Sequence, residues 1–262
     1  MEVHHHAHTA RKKWTHYFWE FFMLFLAVTA GFLVENQREH FIEHKREKQF
    51  IITMIEDLKS DTIQIMQNIV YRKKRESMCD SLISCLNDYR NKGSDTYYYA
   101  RNLSRPQYFS PNDRTLQQLK NSGALRLIRN LPASDSIMSY DQQIRYLLIL
   151  SEDERSIRDG FRDLVGTIFD GNILYSQIDT TDFANYNKPA GNPLLFMQDA
   201  FSINKIISSS QYLKTVIRGV RVRQERLKTM AGNLIIFLKK EYHIQSTRYQ
   251  TRDTQRDFIF YI

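Results

Sequence analysis

The stretch from Trp14 to Val34 constrains this chain more than any other, because it is an almost unbroken apolar run. A helix needs about 20 mainly apolar residues to cross a hydrocarbon core about 30 Å thick, and this segment has that length. From Phe21 to Val34 only Thr29 is polar. The run therefore reads as one transmembrane helix over residues 14–35, with Trp14, Trp19, Glu20, Phe25, Gly31 and Val34 within it. The flanks agree: Arg11, Lys12 and Lys13 precede it, Trp14, Tyr17 and Trp19 form an aromatic belt at one end, and Glu35-Asn36-Gln37 closes the other.

Two other readings compete. Basic residues ahead of an apolar centre, with Val28-Thr29-Ala30 before Gly31, also describe a cleaved secretory signal. Against that, the apolar pattern runs on through Phe32, Leu33 and Val34 and passes into a helical pattern. A buried helix of a soluble core would keep a polar face, which this segment lacks. Glu20 is an ionisable group in the run and so a candidate helix partner or proton site. With Phe18 to Val34 as the buried part, it falls in the first turn, where it reaches the headgroup layer or is protonated.

The remainder is no tail. With 42% hydrophobic and 25% charged residues, five prolines and nine glycines, the chain lacks the composition of disorder and favours long helices. Its two cysteines, Cys79 and Cys85, cannot make a disulfide framework and read as small apolar residues rather than redox or metal groups. The net charge of +8 is concentrated: residues 201–262 hold 12 basic and 4 acidic side chains.

From Asn36 to Asn91 there is no proline or glycine, and Ile51, Ile55, Leu58, Thr62, Ile65 and Ile69 step by four and three. That is a coiled-coil seam of under three heptads, so packing against other helices of the chain competes with an independent coiled coil. Residues 36–93 read as a long membrane-proximal arm, with a bend or break at Arg72-Lys73-Lys74-Arg75-Glu76. Lys92-Gly93-Ser94-Asp95 ends the arm, and Tyr97 to Pro111 reads as an ordered loop. Ser110-Pro111-Asn112-Asp113 signals a helix start, and Gly123 a break or cap. A helix is expected over Ser134 to Asp170 with Gly160 as a kink point and Gly171 as its stop. A surface loop follows to Pro193, with a short strand at Ile173 to Ile178. The last helix is expected from Ser209 to Tyr242. Residues 94–262 thus form a helical domain with a basic C-terminal helix, and the fold class is all-α.

Three stretches carry a resemblance. They are Glu20 through Glu35-Asn36-Gln37-Arg38-Glu39, the arm segment Ile55-Glu56-Asp57-Leu58-Lys59-Ser60-Asp61, and the hydroxyl-rich segment from Thr115 to Ile128 containing Ser122-Gly123. Together they resemble uncharacterised single-span membrane proteins of Bacteroidota, a family defined only as a domain of unknown function. The His-rich N-terminus and the more aromatic span depart from that family's pattern. The resemblance implies a helical protein of the inner membrane and carries over no active-site residue.

Candidate chemistry is sparse. His40-Phe41-Ile42-Glu43-His44 spells the H-x-x-E-H signature of inverted zinc peptidases, in which two histidines one turn apart bind zinc and the glutamate activates water. The site needs a third ligand and a walled pocket, whereas this segment is surrounded by charges, so a solvated or packed helix is the expected state. His4, His5, His6 and His8, in the basic tract of residues 1–13, have the composition to chelate a transition metal but read as a terminal tract. The chain has no glycine-rich phosphate loop and no nucleophile elbow, and Glu56-Asp57 and Asp153-Glu154 read as helix-surface charges.

On the last helix Lys214, Arg218, Arg221 and Lys228 form a basic stripe beside an apolar one of Leu213, Ile217, Val220, Leu227, Leu234 and Leu238. Such a face suits anionic lipid or an acidic partner. Nucleic acid is not expected, since no aromatic platform accompanies the charge. The apolar tail Phe258 to Ile262 is expected to dock on its own domain or add to a partner as a strand.

These features predict a non-enzymatic, membrane-anchored interaction or scaffold protein without cofactor, its partners the bilayer and a protein or second copy of itself. A small-ligand sensor and the zinc peptidase are the alternatives. A deep pocket between helices would favour the sensor, an exposed apolar groove the scaffold, and zinc held by a third protein ligand the enzyme. Three Lys/Arg residues precede the span and four follow closely. Cations ahead of a first span favour a cytoplasmic N-terminus and a periplasmic domain in a bacterial inner membrane.

Overall fold

The computed structural model describes residues 14–179, 181 and 185–244. The histidine tract and the tail Phe258 to Ile262 lie outside them. Six α-helices follow in order: α1 (Trp14–Leu86), α2 (Gly93–Leu103), α3 (Arg114–Asn121), α4 (Leu131–Ile168), α5 (Gly171–Ser176) and α6 (Ala200–Glu241), with a 3-10 turn at Ala124–Leu127. Among the described residues there is no strand, only an isolated bridge between Ile178 and Tyr186. The fold is all-α, as the periodicity requires.

The chain divides into two compact units, Met1–Phe50 and Ile51–Ile262. The division follows Phe50, whereas composition changes at Glu35. In the first unit, residues 14–50 are helical throughout. Thr29, the one polar residue between Phe21 and Val34, turns its hydroxyl back to the Phe25 carbonyl at 2.8 Å, which hides that donor within the helix.

In the second unit, residues 51–86 of α1 pack with α4 and α6. Ile51, Ile55, Leu58, Ile65 and Ile69 are buried, so the seam is spent on helices of the same chain. The expected break at Arg72 to Glu76 is absent. Arg72 and Arg75 occupy the inward register between Ile69 and Cys79, and the helix continues because partners on other elements receive both guanidinium groups. The arm ends at Leu86, ahead of the Lys92-Gly93 signal. One core runs through Leu82, Tyr97, Phe161, Phe169, Leu195 and Leu213, with Cys79 inside it. Both cysteines are buried and free.

The segment expected as a loop from Tyr97 begins inside a helix instead. Tyr97, Ala100 and Leu103 recur at helical spacing and are buried, and the Tyr97 ring meets Phe169 edge-on at 4.8 Å. The Tyr97 hydroxyl donates to the Leu194 carbonyl at 3.1 Å and accepts from the Asp170 amide at 2.8 Å. Gly93 opens α2 because nothing larger fits: a Cβ there would stand 2.0 Å from the Pro193 carbonyl oxygen. Gly123 ends α3 with φ +65°, as its left-handed preference allows.

α4 starts at Leu131, where the Asn130 side chain accepts the Ala133 amide at 3.0 Å, and it stays helical across Gly160. Gly171 is not a stop but the first residue of α5, under an Asp170 cap. Residues 173–176 of the expected strand are helical. α6 begins at Ala200, earlier than Ser209, because Asp199 caps it through the Ser202 amide at 2.9 Å and Ile206 reaches the core.

Candidate functional site

One helix among the described residues, α1, is long and apolar enough to cross a membrane. Its large apolar side chains from Trp14 to Val34, Trp19 and Phe25 included, are all exposed, and a Cβ at Gly31 would meet nothing within 4 Å. So large an apolar surface left outside any core marks contact with lipid or another apolar body. Glu20 Oε1 lies 3.0 Å from His16 Nε2, one turn toward the N-terminus, so the acid of the stretch has a local partner.

His40 and His44 are both exposed. His44 Nδ1 lies 3.5 Å from Glu47 Oε2. Among the described residues no group of three or more His, Cys, Asp or Glu side chains is placed to hold a metal ion, so the H-x-x-E-H segment gains no third ligand there.

The second unit holds a buried ionic centre that sequence reasoning missed. Arg72 of α1 pairs with Glu154 of α4 and donates through Nε to Gln224 Oε1 of α6 at 3.2 Å. All three are buried, as are Arg75 and Arg158. Burial holds the Arg72 pKa below its ordinary value; Glu154 opposes that shift, and the charges of Arg75 and Arg158 add to it. Arg75 turns to the end of α2, donating to the carbonyls of Leu103 at 2.7 Å and Arg105 at 3.0 Å, while Arg162 donates to the Ser104 carbonyl at 3.0 Å. Guanidinium groups thus satisfy the orphan carbonyls at a helix C-terminus, where positive charge is favoured. The signal in the sequence was polar residues in apolar registers: Arg72 in the seam of α1, Glu154 and Arg158 in that of α4, and Gln224 in that of α6.

Each acid pair keeps one surface charge and buries the other: Glu56 and Asp153 are exposed, whereas Asp57 and Glu154 are not. Asp57 is buried and accepts the Thr115 amide at 2.9 Å and Arg114 at 3.0 Å, and Asp61 accepts the Asn112 amide at 2.7 Å and the Tyr140 hydroxyl at 3.0 Å. Two of the stretches quoted for the family resemblance therefore meet, Asp57 of one capping the helix of the other. In Asp153-Glu154, one acid is exposed and the other sits in the ionic centre.

The predicted basic stripe of α6 divides. Arg221 donates to Glu76 of α1 through Nε at 2.5 Å and to Glu225 through a terminal nitrogen at 2.9 Å, and Lys214 pairs with Asp80. Arg218 and Lys228 stay exposed. A different cationic surface emerges along the crease between α4 and α6. One hollow of about 510 Å³ has Leu150, Val216 and Gly219 among its walls and Arg218, Arg223 and Arg226 at its rim. A second, of about 740 Å³, lies between Gly160 and Leu164 of α4 and Phe201, Ser208 and Tyr212 of α6. Arg223 also stacks over the Tyr146 ring, 4.5 Å from its centroid.

Comparison with protein-family models, curated proteins and solved structures finds no match to this chain.

Proposed function

We propose that this chain is a membrane-anchored helical interaction module without catalytic activity. In this reading Trp14 to Val34 crosses a bacterial inner membrane once, the N-terminus faces the cytoplasm, and the helical bundle meets a protein partner in the periplasm. The observation that carries the proposal is the contrast between the two units. The apolar stretch offers its large side chains outward, while the second unit builds a core of its own. A removable leader would serve targeting equally well, but the apolar pattern continues without interruption into a charged helix.

The alternatives draw less support. The hollows along α4 and α6 are open and elongated, as befits a docking surface more than a closed sensory pocket. The zinc reading has two exposed histidines and no third ligand among the described residues.

Expression of the full chain in a bacterium, followed by carbonate washing of the membranes, tests the anchor. The protein should stay in the pellet at full length and be released only by detergent. Recovery of intact chain in the wash would overturn the proposal, and recovery of a shortened chain would replace it with a cleaved leader. Fusion of an alkaline phosphatase after Ile262 should give an active reporter, and activity from a cytoplasmic reporter instead would reverse the orientation.

A further inference from the structure

The crease between α4 and α6 has a shape and charge that the rest of the second unit does not use. Its two hollows follow one another along the same pair of antiparallel helices, since α4 residues 164, 160, 157, 153 and 150 line it in that order as α6 runs from Phe201 to Arg226. At about 1.5 Å per residue the α6 wall is about 37 Å long and the α4 wall about 21 Å, so a helix of about 25 residues spans the longer wall. Its lining is mostly small or apolar, with one cation, Lys205, in the hollow near Phe201. At both Gly160 and Gly219 a Cβ would meet nothing within 4 Å, so each leaves room for an incoming side chain. Phe201 stands exposed at one end and Tyr212 near the middle.

Charge settles what fits the other end. Arg218, Arg223 and Arg226 rim it and none of the three has an acidic partner within hydrogen-bond reach among the described residues, while Asp153 is the single acid of that hollow. This differs from Arg221 and Lys214 on the opposite side of α6, which α1 neutralises. We infer that the α4/α6 crease is the docking site for an amphipathic helix of a partner protein, with an apolar seam along its length and Asp or Glu residues clustered toward the end that meets Arg218, Arg223 and Arg226. The inference rests on the reading of the bundle as an interaction module and names its partner chemistry. An apolar stripe at helical spacing seats in the groove, and the arginines select sign and direction.

The test uses the full chain in nanodiscs of neutral phosphatidylcholine and two labelled synthetic helices of 25 residues. Both carry leucines at alternating three- and four-residue steps; one bears glutamates in the half meant for the arginines, the other lysines. The acidic helix should bind at least about tenfold more tightly than the basic one, with the advantage shrinking as salt rises. The triple variant R218E/R223E/R226E should reverse the preference. Gly219→Trp and Gly160→Trp should each weaken the acidic helix at least about tenfold by filling the floor, without lowering the melting temperature, because both positions are open and helical. Equal binding of the two helices, or binding indifferent to both tryptophans, overturns the inference. So does capture of phosphatidylserine vesicles through the same arginines with no peptide binding, since the occupant would then be a membrane surface. A protein that enters nanodiscs and ignores both peptides loses this inference alone. One that never enters them loses the anchor.

Discussion

Asp57 of α1 caps a helix to which it does not belong: its Oδ2 accepts the Thr115 amide of α3 at 2.9 Å, while Asp113, at the local cap position, makes no side-chain cap. The first turn of α3 is thereby tied to α1 across 58 positions of sequence. Replacing Asp57 with Ala leaves a buried amide without an acceptor and should cost about 2 kcal/mol. Arg114→Ala, which removes only the exposed partner of the same acid, should cost under about 0.5 kcal/mol. Thermal unfolding of the two full-length variants in detergent, followed by circular dichroism, separates them; equal losses would mean that the ion pair and not the cap matters.

The buried centre should respond asymmetrically. Removing Glu154 leaves Arg72 buried without its anion and beside the charges of Arg75 and Arg158, so Glu154→Gln should destabilise by about 3 kcal/mol or more. Removing Arg72 relieves repulsion among the three arginines, and Arg72→Gln should cost less. Chemical denaturation midpoints of both variants check the order, and a greater loss for Arg72→Gln would contradict it.

Asp61 gives a pH dependence with a definite sign. Burial raises its pKa above the ordinary value of 3.8, against the pull of the Asn112 amide and the Tyr140 hydroxyl. The folded chain therefore binds this proton more tightly than the unfolded chain, and its contribution to stability falls as pH rises through the window above 3.8. Asp61→Asn, which cannot ionise, should gain stability relative to the wild type as pH is raised through that window. Melting temperatures of the pair across acid pH report this, and a constant difference would exclude it.

The thiols should be silent in the folded state. Burial pushes the Cys79 thiol up to about 12, and Cys85 is raised for the same reason. Little thiolate exists at pH 8, so alkylation should proceed only after unfolding. Mass spectrometry of iodoacetamide-treated native and denatured protein would reveal any early modification.

Gly93 is the one glycine at which an added Cβ would meet a neighbour within 4 Å. Gly93→Ala drives a methyl group against the Pro193 carbonyl oxygen and should cost about 2 kcal/mol, read as a lowered melting temperature. An unchanged value would show that the Pro193 segment yields.

Where apolar spacing is regular, the sequence is explicit. The seam from Ile51 to Ile69 is buried as its spacing requires, and the apolar run from Trp14 to Val34 and the bodies of the later long helices are helical, although the ends of those helices differ from expectation. It is silent where a polar residue takes a core position, because spacing alone cannot tell a solvated charge from one neutralised by a distant helix. Arg72 reads as an interruption until Glu154 and Gln224 are seen opposite. The start of α2 and of α6 were hidden for a related reason. Tyrosine-rich and serine-rich segments carry weak helical preference, and tertiary burial of Tyr97 and Ile206 decides their conformation. The docking crease was illegible because it needs two helices, so a stripe read from α6 alone mixed cations bound to α1 with cations left free.

The centre formed by Arg72, Glu154 and Gln224 draws one residue from each long helix, 82 positions apart for the first pair and 152 for Arg72 and Gln224. A chain emerging from the ribosome holds Arg72 early and meets its last partner only once most of α6 has been made. Until then Arg72 lacks one of its two partners, so the centre works as a clasp that fastens only when all three long helices have come together.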